Sequence, residues 1–423
     1  MKLTMHGFIF ICCSGILVPE ALVQYRTDKI SENKLSILGL GCMRFPRNIT
    51  GIDMKKTEEL VMHAIDNGVN YFDTAWIYKG SEEILGAILE QHQAREKIYI
   101  ATKLPLVFVK SPADFDNYFD QSLKRLRTTY IDYYLMHMIT DADQWNTLKG
   151  WGIEQWIAEK KKEGQIRRIG FSYHGSRDEF LKVLDDYDWE MCQIQYNYSD
   201  ENFQAGVTGL KKAAEKMPVM IMEPLLGGKL AANLPKEAID IFKKARPDLS
   251  PAAWGLNWIW NQPEVTLLLS GMSDMAQLEE NIALAGAAKA EMLGERELDT
   301  YRQALAVVNR GCKIRCTGCS YCMPCPKGVN IPGCFAAYNA VYSMGYVEGM
   351  KQFVTSTALT SERSSSPSLC TECGNCESHC PQHLPVIKHL AQVCRRMEPF
   401  WLRFIGACAR AYLGKKRKKV NAG

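Results

Sequence analysis

Between residue 35 and about residue 290 the chain alternates short apolar runs with stretches of helical period. The strand-like runs are Leu35–Cys42, Tyr71–Ala75, Ile98–Lys103, Ile131–His137, Arg168–Ser172, Cys192–Tyr196, Pro218–Glu223 and Val265–Ser270. Helix-period segments lie between them: Thr57–Asn67, Ser81–Gln91, Asp116–Arg127, Ile153–Lys162, Arg177–Asp185, Leu210–Lys216 and Gln277–Ala285. Eight strand–helix units over about 250 residues is the size and rhythm of a (β/α)8 TIM barrel, an α/β fold. A doubly wound sheet would need a G-x-G-x-x-G turn after its first strand. Gly39-Leu40-Gly41 is followed instead by Cys42-Met43-Arg44, which breaks that fingerprint.

The periodic pattern stops near residue 300 and cysteines take over. Of the 16 cysteines, only Cys12, Cys13, Cys42 and Cys192 precede it; the rest lie between Cys312 and Cys408. Two blocks repeat one spacing: Cys316-x2-Cys319-x2-Cys322-x2-Cys325-Pro326 and Cys370-x2-Cys373-x2-Cys376-x3-Cys380-Pro381. A cubane [4Fe–4S] cluster needs one thiolate on each of four irons. A C-x2-C-x2-C loop wraps three of them, and a remote Cys-Pro supplies the fourth to the other cluster of a pair. The second block has that spacing without a gap, and the first is one residue short in its last interval. Zinc sites use paired ligands rather than two four-cysteine runs that end in Cys-Pro. Two cross-ligated [4Fe–4S] clusters are therefore expected, in a small, mainly α-helical ferredoxin-like unit. Cys380 would complete the site of Cys316, Cys319 and Cys322, and Cys325 that of Cys370, Cys373 and Cys376. Cys312 and Cys334 stand close enough in sequence to replace a first-block ligand. The polar run Thr355–Ser368 between the blocks reads as a surface loop.

Composition narrows the picture further. The 423 residues exceed one ordinary domain, and 47% hydrophobic against 23% charged residues is a globular mix. A net charge of +4 is no nucleic-acid footprint. Crowded cysteines in a chain this long indicate a metal unit in a reducing compartment, hence the cytoplasm, rather than a disulfide scaffold. The expected organisation is an N-terminal extension at 1–23, a barrel at 24–300, the dicluster unit at 301–395 and a basic aromatic tail at 396–423. The extension has the look of a weak signal peptide, yet it carries one n-region lysine and no small-x-small cleavage site; an over-extended translation start reads equally well. In the tail, Phe400, Trp401, Phe404 and Ile405 precede the basic run Lys415–Lys419. Packing on its own domain is the expectation there, over a membrane surface.

Active sites of such barrels lie at the C-terminal ends of the strands. Asp73 closes the second strand and Tyr78 follows it, Lys103 ends the third, and His137 ends the fourth. Each alone has a dull explanation, as cap, solvated rim or core histidine. Together they carry a resemblance, along with Ile169-Gly170-Phe171-Ser172, Gln193-Ile194-Gln195-Tyr196-Asn197, Glu223-Pro224-Leu225 and Gln277-Leu278-Glu279-Glu280-Asn281. The segment from about 24 to 290 resembles the aldo/keto reductase family. The whole chain resembles those members that carry a C-terminal 4Fe–4S dicluster domain.

The resemblance implies hydride transfer between NADP or NAD and a small carbonyl or alcohol substrate. It implies Tyr78 as general acid, Lys103 paired with Asp73 and lowering the phenol's pKa, and His137 orienting the carbonyl oxygen. Ser172 and Gln193 match the residues that hold the nicotinamide carboxamide. Ser270, Gly271, Ser273, Gln277, Glu280 and Asn281 match the phosphate and adenosine site. Gly271 and Gln277 are neutral where many NADPH-using members carry cations, so strict NADPH preference is not implied. Met222 replaces a stacking aromatic, and Tyr173 an asparagine; His174 stands next, as a pocket or surface residue. Hydride carries two electrons and a cluster passes one, and no flavin fingerprint is present to mediate. One reading is a redox enzyme whose clusters exchange electrons with a ferredoxin-like partner. The alternative is a non-catalytic barrel scaffold bearing an electron-carrier or redox-sensing module, or clusters that serve as structural staples.

Overall fold

The computed structural model describes residues 23–49, 51–343, 345–357, 364–399 and 402. The signal-like run, Cys12, Cys13, Cys408, Phe400, Trp401, Phe404, Ile405 and Lys415–Lys419 lie outside the described residues.

Eight parallel strands close into a barrel: β1 Leu38–Gly41, β2 Tyr71–Asp73, β3 Tyr99–Leu104, β4 Ile131–Ile139, β5 Ile166–Tyr173, β6 Met191–Gln195, β7 Val219–Met222 and β8 Leu267–Ser270. Each strand pairs with the next in sequence, and Leu268 opposite Leu38 closes the ring. The apolar run Leu35–Cys42 is divided. Lys34–Ser36 turns into an antiparallel hairpin with Tyr25–Thr27, and only Leu38–Gly41 enters the barrel. The hairpin turn is tied to the barrel from below, Tyr133 donating from its hydroxyl to Asp28 at 2.8 Å.

Period-2 alternation explains both the core and the site. Tyr71, Ala101, Tyr133, Leu135, Met191, Met220 and Leu267 form one buried cluster inside the barrel. One inward step further along the same strands come Asp73, Lys103, His137, Gln193 and Met222, at the opposite mouth. The interior is thus apolar at its base and polar at its C-terminal rim.

The helices in chain order are α1 Met54–Asp66, α2 Ser81–Gln91, α3 Ala113–Leu126, α4 Ala142–Gly150, α5 Ile153–Lys162, α6 Arg177–Asp185, α7 Gly206–Lys216, α8 Lys236–Ala245, α9 Pro251–Trp260, α10 Met275–Ala287, α11 Glu295–Gly311, α12 Ile331–Ser343, α13 Tyr346–Ser356, α14 Asn375–Ser378 and α15 Val386–Met397. Those up to α10 wrap the barrel, with the outward strand residues and the helices' inner faces in one core. Local chemistry sets their starts: Asp274 caps α10 by accepting from the Gln277 amide at 2.9 Å, and Ser250 with Pro251 opens α9.

α11 still packs on the barrel, through Tyr301, Ala304 and Val307. Tyr301 donates to the Trp254 carbonyl at 2.7 Å. Beyond it, Ile314, Val329, Phe335, Phe353, Val386, Leu390 and Val393 build a second core around the cysteine blocks. The run expected as a loop from Thr355 begins inside α13, which continues to Ser356. Among the described residues no helix is long and apolar enough to cross a membrane.

Candidate active site

The C-terminal mouth of the barrel brings together all four nominated acid–base residues. Lys103, fully buried, donates from Nζ to Asp73 Oδ2 and to the Thr74 carbonyl, each at 2.6 Å. The same ammonium lies 5.2 Å from the centre of the Tyr78 ring. Tyr78 and His137 face each other edge to face at 6.0 Å. Strand β4 delivers His137 through a bulge: Met138 adopts φ +64°, and its amide donates to Ser172 Oγ at 2.9 Å. Such bulges re-aim side chains at a barrel rim. The strand therefore runs two residues past His137, which the alternation alone did not reveal.

Electrostatics differ from the expectation at one point. Burial dominates at Tyr78 and pushes the phenol well above its ordinary value, with Tyr321 and Asp73 raising it further. Burial also raises Asp73, with Lys103 opposing. His137 is driven well below the usual imidazole value by burial, then by Lys103 and His174. At neutral pH the mouth thus presents a protonated phenol and a neutral imidazole, both competent hydrogen-bond donors.

A cleft of about 360 Å³ opens beside them. Ser172, Gln193, Ser270, Gly271, Ser273, Gln277, Glu280 and Asn281 all line it, together with Asp73, Tyr78 and His137. Several of these are also held by protein. Asn281 donates to Ser270 Oγ at 3.1 Å, and Gln277 accepts from the Ser273 amide at 3.0 Å. Gln193 donates from Nε2 to the Met222 sulfur at 3.6 Å, but its buried Oε1 has no partner. An orphaned buried acceptor beside a serine suits a ligand carboxamide N–H. His174 is buried and lines the same cleft, whereas Tyr173 turns into the core and donates to the Ser176 carbonyl at 2.6 Å.

Residues that sequence reasoning did not nominate also reach the cleft. Arg44, just after β1, lies against Gly271 and supplies a cation where position 271 has none. Glu223 is half-buried at φ +54°, with one buried carboxylate oxygen lacking a partner. Most informative is Tyr321, between Cys319 and Cys322. Its hydroxyl pairs with that of Tyr78, and its ring stands 6.4 Å from His137. No local signal marks these positions, because each acts across a long sequence separation.

The cysteine blocks sit directly on this mouth. Arg315 donates to Asp200 at 2.7 Å, Gln382 to Gln195 at 2.8 Å, and Gln204 to the Pro381 carbonyl at 2.9 Å. His383 also meets the His174 carbonyl. Gly227, at φ +66°, lets the first block approach: a Cβ there would stand 2.1 Å from the Thr317 carbonyl. Cys316, Cys319, Cys322 and Cys380 line one shared cavity walled by Ile331, Phe335, Leu384 and Val386. Burial raises the Cys376 thiol, with Glu377, Cys370 and Cys325 adding to the rise, and Cys373 is exposed nearby in sequence. The thiol-lined cavity of Cys316, Cys319, Cys322 and Cys380, with its apolar wall, fits a cubane cluster. Among the described residues no three His, Cys, Asp or Glu side chains converge on a single-ion site. Neither alternative ligand stands with the first group. Cys334 is buried beside Glu398 and Cys394, and the Cys312 thiol turns to the Ile314 carbonyl.

Comparison with known proteins agrees with this geometry. Residues 37–292 match the family model "Aldo/keto reductase family", and residues 315–386 match "4Fe-4S dicluster domain". The uncharacterized oxidoreductase YqkF of Bacillus subtilis is 28% identical over 303 residues, covering 63% of this chain and 92% of that protein. The aldo-keto reductase YhdN of the same organism is 26% identical, covering 62% and 89%. The solved fold of aldo-keto reductase AKR11C1 from Bacillus halodurans superposes with a TM-score of 0.55 at 24% identity, covering 67% of this chain and 96% of that one. With the barrel, its rim and the matched span in agreement, the chain belongs to the aldo/keto reductase family of oxidoreductases and carries a 4Fe–4S dicluster domain at its C-terminal end.

Proposed function

We propose that the barrel transfers hydride between a nicotinamide nucleotide, NADPH or NADH, and a small carbonyl or alcohol substrate. The observation that carries this reading is the convergence of Tyr78, His137 and the Lys103–Asp73 pair on a cleft lined by all eight nominated nucleotide residues. When bound, the nicotinamide supplies the hydride. Ser172 and the unpartnered Gln193 Oε1 would hold its carboxamide, and the segment from Ser270 to Asn281, with Arg44, its phosphates and adenosine. Neutral His137 would donate a hydrogen bond to the carbonyl oxygen, and Tyr78 would give the oxyanion its proton. Lys103 holds Asp73 and keeps positive charge behind the phenol, which helps once the proton has left.

The division of roles follows the chain: residues 24–300 for hydride chemistry, and 301–395 for the clusters. Two clusters are proposed, one on Cys316, Cys319, Cys322 and Cys380, the other on Cys325, Cys370, Cys373 and Cys376. Each would pass single electrons, with a ferredoxin-like protein as the exchange partner. Anaerobic titration with NADH and NADPH, followed by nucleotide fluorescence and by EPR, tests both halves. Binding of either nucleotide supports the reading; absence of both, with no loss of turnover in Tyr78→Phe, refutes it. Normal carbonyl turnover in Cys373→Ser would take the clusters out of the catalytic electron path.

A further inference from the structure

A second cavity, of about 460 Å³, opens on the other side of Tyr78 and His137, which line both spaces. A carbonyl held by that phenol and imidazole would face the nucleotide cleft with its reacting carbon and lay its body in this second space. The walls there are apolar: Ile77, Leu106, Val107 and Phe108 from the barrel, and Met323 from the first cysteine block. Val107 and Phe108 remain 50% and 44% exposed, although both are large apolar side chains at a cavity mouth. Tyr321, with Cys319 and Ser320, closes the far side, so the cavity exists only where the first cysteine block is docked.

The charged part of the lining has one sign. Arg47 and Lys79 stand exposed at the rim, joined by a 3.2 Å hydrogen bond from Arg47 to the Lys79 carbonyl. No aspartate or glutamate is among the described lining residues, and neither cation has an acidic partner among the described residues. An apolar slot with two cations at its rim and a carbonyl anchor in its wall has a definite complement. We propose that this cavity is the substrate site, and that it selects a carbonyl compound with an apolar body that also carries an anionic group, such as a carboxylate. The proposal rests on the nucleotide reading of the first cleft.

The test is anaerobic calorimetric titration of the cluster-loaded protein, saturated with oxidised nicotinamide nucleotide, against two matched probes. These are 4-carboxybenzaldehyde and 4-methylbenzaldehyde, which differ in charge and little in shape. The carboxylate should bind about tenfold more tightly at low salt, the scale of two exposed charge contacts. In Arg47→Gln/Lys79→Gln that preference should vanish while 4-methylbenzaldehyde binds as before. Both side chains are exposed, so the fold should tolerate the change. Equal binding of the two probes by the wild type, or a preference that survives in the double variant, overturns the proposal. Turnover separates the two readings. A charge-selective probe that binds but is not reduced with NADH or NADPH leaves the site and removes the reductase function. Reduction of both probes without charge preference does the reverse.

Discussion

Lys103→Met removes one member of the most deeply buried ion pair at the mouth. Its ammonium is fully buried, and the Asp73 side chain it meets at 2.6 Å is 5% exposed. Deleting the cation leaves a carboxylate with little access to water, a situation that costs about 3–5 kcal/mol. The Thr74 carbonyl also loses its donor. Asp73 already sits above its ordinary value through burial, with Lys103 opposing, so its folded pKa should rise further in the variant. The sign follows from linkage: a carboxylate whose folded pKa is raised is penalised above its unfolded value of about 3.9 and relieved below it. The deficit should therefore be greatest near pH 8 and shrink towards pH 5. Replacing both partners, Lys103→Met/Asp73→Leu, removes the stranded charge and should recover most of the lost stability without recovering turnover. Urea unfolding followed by tryptophan fluorescence, run anaerobically at matched iron content, measures each corner of the cycle. Additive losses, with the double variant as unstable as the sum of the singles, would refute the coupling.

Exchanging single cysteines separates the clusters: Cys380→Ser should perturb the EPR signal of the site shared with Cys316, and Cys325→Ser the other, whereas uncrossed ligation would reverse that pattern. Gly227→Ala forces a Cβ towards the Thr317 carbonyl at a left-handed φ, so amide exchange should rise across residues 312–330, with a loss of about 1–3 kcal/mol. His137 and His174 are both depressed by burial, His174 to about 3. The unfolded chain takes up their protons first, so stability should fall as pH drops below about 6.5, by up to about 1.4 kcal/mol per unit for each histidine. Tyr78 is held high, so carbonyl reduction should be level through neutral pH while alcohol oxidation, which needs the ionised phenol, should climb as the medium becomes alkaline.

Much of this was legible because it is local. Alternation alone located all eight barrel strands, since every one is buried and strands of that kind carry an unbroken apolar run. The inward parity that buries Tyr71, Ala101 and Tyr133 also placed Asp73, Lys103 and His137 at one mouth. Cysteine spacing likewise reads directly, because loop length sets which irons a run can reach. Helices α4, α8 and α9 were missed: α9, Pro251–Trp260, is apolar nearly all round and shows no amphipathic period. Leu35–Cys42 looked like one strand because the hairpin and the barrel bury adjacent residues of the same run. Arg44, Glu223 and Tyr321 were invisible for another reason. Their significance comes from folding contacts, above all the docking of residues 315–323 and 381–383 on the mouth, which no periodicity encodes.

Hydride transfer at Tyr78 is best tested by following the hydrogen itself. The cluster-loaded protein, kept anaerobic, is given nicotinamide nucleotide deuterated at C4, on either face, and 4-carboxybenzaldehyde, and the alcohol is analysed by mass spectrometry and NMR. One deuterium should appear at the carbinol carbon from one face only, and Tyr78→Phe should slow its appearance by about 10²–10⁴-fold while still binding nucleotide. Alcohol formed without deuterium from either face, or formed as fast by Tyr78→Phe, would contradict direct hydride transfer in this cleft.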